Sequence, residues 1–159
     1  DQASRVLVKN VKIANFETHG KAPISWLGSE QVQKDLGITP EDRPESGVME
    51  IHGVSINGVT EAKIEDVQVV ECDSRGSVYG VEIAGKSTEI ELDNVRCETL
   101  SAGQGSEFRQ PFGDQKAVGV RVLKGTSDVK ISKVKSDFEA SRADLKKSVE
   151  IESEEVSIS

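Results

Sequence analysis

The chain has 159 residues, 28 of them acidic and 20 basic, for a formal net charge of −8; 35% are hydrophobic and only 4% aromatic. That length suits one domain with its own core, and with aromatics so scarce the core must be built from Val and Ile. The acidic balance excludes general nucleic-acid binding, and no apolar run approaches the roughly 18 residues of a membrane-spanning helix, so neither nucleic acid nor membrane insertion is expected.

The first predicted element is "RVLVKNVKI" (Arg5–Ile13), two apolar-x-apolar runs about Asn10 with the period of two expected of β-strand. A stretch of different composition follows from about Glu17 to Ser46. It holds His19, the sole tryptophan Trp26, and "SEQVQKDLG", where Ser29 as N-cap and Gly37 just beyond the end predict a short helix. Next comes "VSINGVTEAKIEDVQV" (Val54–Val69): apolar-x-apolar, a polar turn, apolar-x-apolar, two polar residues, then Val. The same frame returns in "VEIAGKSTEIELDNVRC" (Val81–Cys97) and "VRVLKGTSDVKISKVKS" (Val120–Ser136). Between these two lies a second insertion, about 101–117, with Phe108, Arg109 and Phe112. A shorter excursion, "EASRADLKKS" (Glu139–Ser148), reads as about one helical turn, and "VEIESEEVSIS" closes the chain.

The second-half strands of this frame start near Val6, Ala62, Ile90, Val129 and Val156, at spacings of 56, 28, 39 and 27 residues. The base period is therefore near 28, interrupted by insertions, and a period of that size signals a solenoid or array. The repeat also disposes of a competing motif. Gly80–Ser87, "GVEIAGKS", fits the phosphate-loop pattern G-x-x-x-x-G-K-S. Such a loop needs a helix after it, whose N-terminal amides face the phosphates. Here "TEIELDNV" alternates as strand, and Glu82 would put a negative charge inside the loop.

The pattern G-V-x-I, turn, V-x-I-x-N-V, carried by Gly80–Ile83 with Ile90–Val95 and by Gly119–Val122 with Val129–Val134, resembles the right-handed parallel β-helix of the pectin-lyase-like superfamily. The resemblance implies an all-β fold: a single-stranded parallel β-helix of about four to five coils across residues 1–159, with two loop insertions, one carrying the short helix. Apolar residues would stack inward. The chain starts at Asp1 and both ends fall partway through a coil; the favoured expectation is a piece of a longer β-helix, the alternatives being end-to-end stacking of copies or capping by the insertions.

In-register stacking places outward residues in rows. One row reads Glu82, Arg121, Glu150 and another Lys63, Glu91, Lys130; both alternate in charge, as structural ladders should. Asn10, Asp66, Asn94 and Lys133 precede the Val of the third short strand and are expected at corners, where Asn and Asp accept left-handed backbone. Cys72 and Cys97 read as buried thiols, with a disulfide the alternative in an oxidising compartment. His19 and His52 are too few for a triad, and no Cys/His or Asp-x-Asp spacing points to zinc or calcium, so no metal or cofactor is expected.

One row breaks the alternation: Lys12, Gln68, Arg96, Lys135, polar or basic throughout on an acidic chain. An acidic polysaccharide suits it, with Trp26 or Phe108 stacking on sugar rings and Arg109 nearby, since insertions of a solenoid gather on one face. Opposing this is a solvated strip balanced by Glu98 and Asp137. The resemblance implies two classes of function, and the open coil ends favour a third. The preferred one is a carbohydrate-binding or adhesion module of a larger surface, secreted or phage-tail-like protein, placed outside the cell or on a cell or virion surface. The others are a polysaccharide lyase, hydrolase or epimerase, for which no catalytic motif is present, and a structural assembly or spacer unit that meets further copies or the rest of a parent protein at open coil ends.

Overall fold

The computed structural model describes residues 5–17, 50–74, 76–102, 115–138, 141 and 143–159. Among them every regular element is a β-strand: β1 (Val6–Lys9), β2 (Lys12–Glu17), β3 (Glu50–Asn57), β4 (Ala62–Ser74), β5 (Ser77–Ala84), β6 (Thr88–Ala102), β7 (Lys116–Val122), β8 (Ser127–Ser136), β9 (Leu145–Ile151) and β10 (Val156–Ile158). They form two sheets. Sheet A runs β1-β4-β6-β8-β10, with β2 also paired to β4; sheet B runs β3-β5-β7-β9. All pairings are parallel. From β3 onward the chain alternates between sheets, so neighbours in one sheet are always separated by a strand of the other. The fold is all-β with parallel sheets.

The register follows the repeat. Val6, Ala62, Ile90, Val129 and Val156 are successive partners across sheet A. Ile64, Leu92 and Ile131 form the next inward column, and Val81–Val120 and Ile83–Val122 form the facing columns of sheet B. All of these inward residues but Val6 and Val156 are at most 2% exposed. Each buried Val, Ile or Leu contributes about 1.5–3 kcal/mol, and a slip by one residue would turn a whole column outward, which is why the register is so strongly specified.

The corners are backbone features. Asn10, Asp66, Asn94 and Lys133 adopt φ of 54°, 53°, 55° and 52°. Asn and Asp take this conformation readily; Lys133 has no such tendency and is held there by the repeats stacked beside it. A second set of bends follows five residues later, at Asn15, Glu71 and Thr99, with φ of 60°, 56° and 54°. Nothing in Glu71 or Thr99 announces a bend, and the sequence pattern did not contain it. The long strand β4 therefore carries two such residues, Asp66 and Glu71, and β6 three, Glu89, Asn94 and Thr99.

The Gly80–Ser87 stretch is strand and turn. Val81–Ala84 lies in β5, Gly85 turns at φ 65°, and Thr88 opens β6. The Ser87 hydroxyl donates to the Ala84 carbonyl (2.7 Å) and accepts the Val59 amide (3.2 Å), a turn-closing role that Thr126 repeats on the Leu123 carbonyl at 2.9 Å. The glycine of the repeat has a packing reason as well. A Cβ on Gly80 would run into the Cys97 Sγ and the Gly119 carbonyl oxygen.

Three expectations are corrected or left outside. The excursion at Glu139–Ser148 is not a helical turn where it is described: Leu145–Ser148 belong to β9, because their backbone pairs with β7 in register. The second insertion is narrower than 101–117, since Ser101 and Ala102 continue β6 and Lys116 and Ala117 open β7. The predicted helix at Ser29–Gly37 lies outside the described residues.

Candidate functional site

Parallel register brings the basic row together. Lys12 pairs Gln68, Gln68 pairs Arg96, and Arg96 pairs Lys135, so the four side chains stand one strand spacing apart, about 4.8 Å. All four are exposed. Two residues before each, the corner places Asn10, Asp66, Asn94 and Lys133, and the Val or Ile-type residue between them turns inward. The step repeated across neighbouring strands is thus a polar corner residue, Val, then a polar or basic residue: Asn-Val-Lys, Asp-Val-Gln, Asn-Val-Arg and Lys-Val-Lys.

An open groove of about 340 Å³ lies along this face. Its rails are Asn10, Asp66 and Asn94 on one side and Lys12, Gln68 and Arg96 on the other. The Asn94 amide donates to Asp66 Oδ1 at 2.7 Å, tying two corners together. The cations of the row behave differently from those of the neighbouring first-half rows. There Lys9 reaches Glu65 at 2.9 Å, Lys63 also engages Glu65, Lys130 lies 4.0 Å from Glu91 and Lys133 lies 3.2 Å from Asp93. Hydrogen bonds from Lys63 and Lys9 hold the Glu65 carboxyl below its ordinary range; those from Ser132 and Lys133 do the same for Asp93. Among the described residues no ion pair engages Lys12, Arg96 or Lys135, and none joins Arg96 or Lys135 to Glu98 or Asp137.

Trp26, Phe108 and Arg109, named from the sequence as companions of this row, lie outside the described residues, as do His19 and Phe112. Of the six candidate residues, the described structure therefore places Lys12, Arg96 and Lys135 on one face. It adds Asn10, Asp66, Asn94 and Gln68 as groove residues; the sequence marked them as corner or row positions without assigning them to a ligand.

A second polar cluster sits on the outward side of sheet B, where sequence reasoning saw only the ladder Glu82, Arg121, Glu150. The ladder exists in register, but it is wider than a ladder. His52 Nε2 is 3.2 Å from Glu50 and its Nδ1 is 3.3 Å from Glu82; Arg121 lies 3.5 Å from Glu82, 3.5 Å from Glu150 and 3.3 Å from Glu152; Lys116 reaches Glu150 at 3.0 Å. The Arg121 guanidinium lies 4.6 Å over the Tyr79 ring, whose other neighbour is His52 at 5.2 Å. Burial holds the Tyr79 phenol above its ordinary pKa. Several contacts are Coulombic rather than directed, since His52 Nδ1, Arg121 Nε and Glu150 Oε2 lack a hydrogen bond of good geometry. Four carboxylates here, Glu50, Glu82, Glu150 and Glu152, outnumber the cations Arg121 and Lys116, so both cations are paired within the cluster, unlike those of the basic row.

Cys72 and Cys97 are buried thiols not joined by a disulfide. Among the described residues no group of three His, Cys, Asp or Glu is arranged to hold a metal ion. Comparison with protein-family models, with curated proteins and with solved structures finds no match to this chain.

Proposed function

We propose that the chain is a glycan-binding or adhesion module, built as a parallel β-helix of the pectin-lyase-like kind with about four to five coils, and that its ligand is an acidic polysaccharide lying across the stacked strands of sheet A. The observation that carries this reading is the contrast between rows: the neighbouring cations are paired, while Lys12, Arg96 and Lys135 stand in one register row, the first two lining an open groove, without an ionic partner among the described residues. Like charges side by side on a sheet destabilise it, and an anionic ligand relieves that cost through charge-assisted hydrogen bonds. The strand spacing is close to the length of one sugar in an extended glycan, so successive rungs meet successive units. Such a ligand suits a protein at a cell or virion surface or outside the cell.

The test is gel filtration of the protein with acidic polysaccharides, alongside the variant Arg96→Ala/Lys135→Ala. Co-elution at unchanged glycan length, weakened by salt and by the double variant while the melting temperature stays the same, is the expected result. Undiminished binding by the variant would sink the proposal. Shortening of the glycan would instead favour a lyase or hydrolase. An assembly role is the second reading, favoured by Leu7 and Ile158, which are 66% and 59% exposed on strands paired on one side only; it is supported if the protein alone elutes as an oligomer.

A further inference from the structure

The groove is not uniformly basic along its length, and the order of its rungs carries information about the ligand. The first rung offers Asn10 and Lys12, the second Asp66 and Gln68, the third Asn94 and Arg96. From this we infer that the ligand, on the glycan reading above, presents anionic groups to the first and third rungs of the groove and an uncharged hydrogen-bonding unit to the second. That describes an alternating acidic–neutral glycan rather than one charged at each unit.

The cations of the first and third rungs are two strand spacings apart, on the order of 10 Å. An anion facing the middle rung has no cation of its own there and meets the Asp66 carboxylate on the same rung. A hydroxyl or amide N–H at that place finds acceptors instead. Asp66 Oδ1 accepts from Asn94 at 2.7 Å, which fixes the carboxylate and leaves its other oxygen for the ligand, and the exposed Gln68 amide both donates and accepts. Asn10 and Asn94 supply neutral amides beside the two cations, matching a sugar that carries hydroxyls as well as its acid. The next rung, Lys133 and Lys135, does not line the groove: Lys133 is already held by Asp93 at 3.2 Å, and Lys135 is an outer contact for whatever part of the ligand runs past Arg96. Discrimination here works by an unfavourable element, Asp66 against a misplaced anion, as much as by attraction.

The experiment is calorimetric titration, at about 0.15 M salt so that diffuse attraction is screened, with two octasaccharide probes. One is a hyaluronan fragment, in which a uronate alternates with a neutral N-acetyl sugar. The other is a heparin fragment of equal length, sulfated on nearly every unit. The wild type is expected to bind the hyaluronan fragment more tightly despite its lower charge. Asp66→Asn/Gln68→Lys is expected to reverse the order, improving the heparin fragment by roughly tenfold, the scale of one added charged contact. Asn accepts the φ of 53° at position 66 and position 68 is exposed, so this variant keeps the fold. A wild type that prefers the heparin fragment, with binding still lost in Arg96→Ala/Lys135→Ala, removes the alternation and leaves the glycan reading standing. A double variant that leaves the order unchanged also overturns the alternation. Binding of neither fragment overturns both.

Discussion

The thiol of Cys97 lies 3.4 Å from the Gly119 carbonyl oxygen with no exposure to solvent. Burial, with a smaller contribution from nearby Cys72, pushes its pKa up to about 12. The thiolate is the reacting species, so the folded protein is expected to leave Cys97 unlabelled by iodoacetamide near pH 8 and to expose it only on unfolding; rapid labelling of native protein would contradict this enclosure. The sequence suggested buried thiols because two cysteines cannot make a zinc site. It could not show what encloses this one: Cys97 faces the glycine column of sheet B, where Gly80 has no side chain to collide with the sulfur. Residues such as Asn94 declared their corner through their own conformational freedom, whereas Lys133 and Glu71 adopt the same positive φ only because their neighbours do.

At the scale of elements, β7 carries the residue on which most of the sheet B network turns. Arg121 has a side chain 16% exposed and faces Glu82 and Glu150, each 10% exposed, from the middle strand of three. Removing it leaves two nearly buried carboxylates facing each other across an empty position. Arg121→Ala is expected to lower stability by about 3 kcal/mol in urea unfolding, in the range for breaking a buried pair. Replacing all three together, with Glu82→Gln, Arg121→Met and Glu150→Gln, is expected to restore part of that loss, since the two nearly buried carboxylates go with the guanidinium and only Lys116 and the more exposed Glu152 lose their partners. A single variant as stable as wild type would mean the network is solvated rather than buried. The alternation of charge in this row was visible in the sequence. The participation of His52, Tyr79 and Lys116 was not, because it depends on which side chains three separate strands place side by side.

Across the described residues each strand is stabilised chiefly by the strands paired with it in its own sheet. β5 is buried at all of its positions, and β4, β6 and β8 alternate between enclosed and exposed residues. β1 and β10 have no fully buried side chain and pair on one side only. Amide hydrogen exchange is therefore expected to be slowest in β5, β6 and β7 and to quicken toward β1 and β10, reflecting local opening of the outermost strands. Uniform protection from β1 to β10 would show that the stack opens as one unit.

The amino-acid sequence determined the period-two strands, the columns of Val and Ile, the register between repeats and the row of Lys12, Gln68, Arg96 and Lys135, because each of these is a property of residue type at fixed spacing and recurs in every repeat. Tertiary structure decided the rest. It bent β4 and β6 a second time, turned Leu145–Ser148 into strand through pairing with β7, and joined His52 to Glu82 and Arg121 to Tyr79. It also set Asp66 beside Gln68 on the groove, on the rung between those of Lys12 and Arg96. These features depend on side chains from different repeats meeting in space, which no local pattern encodes.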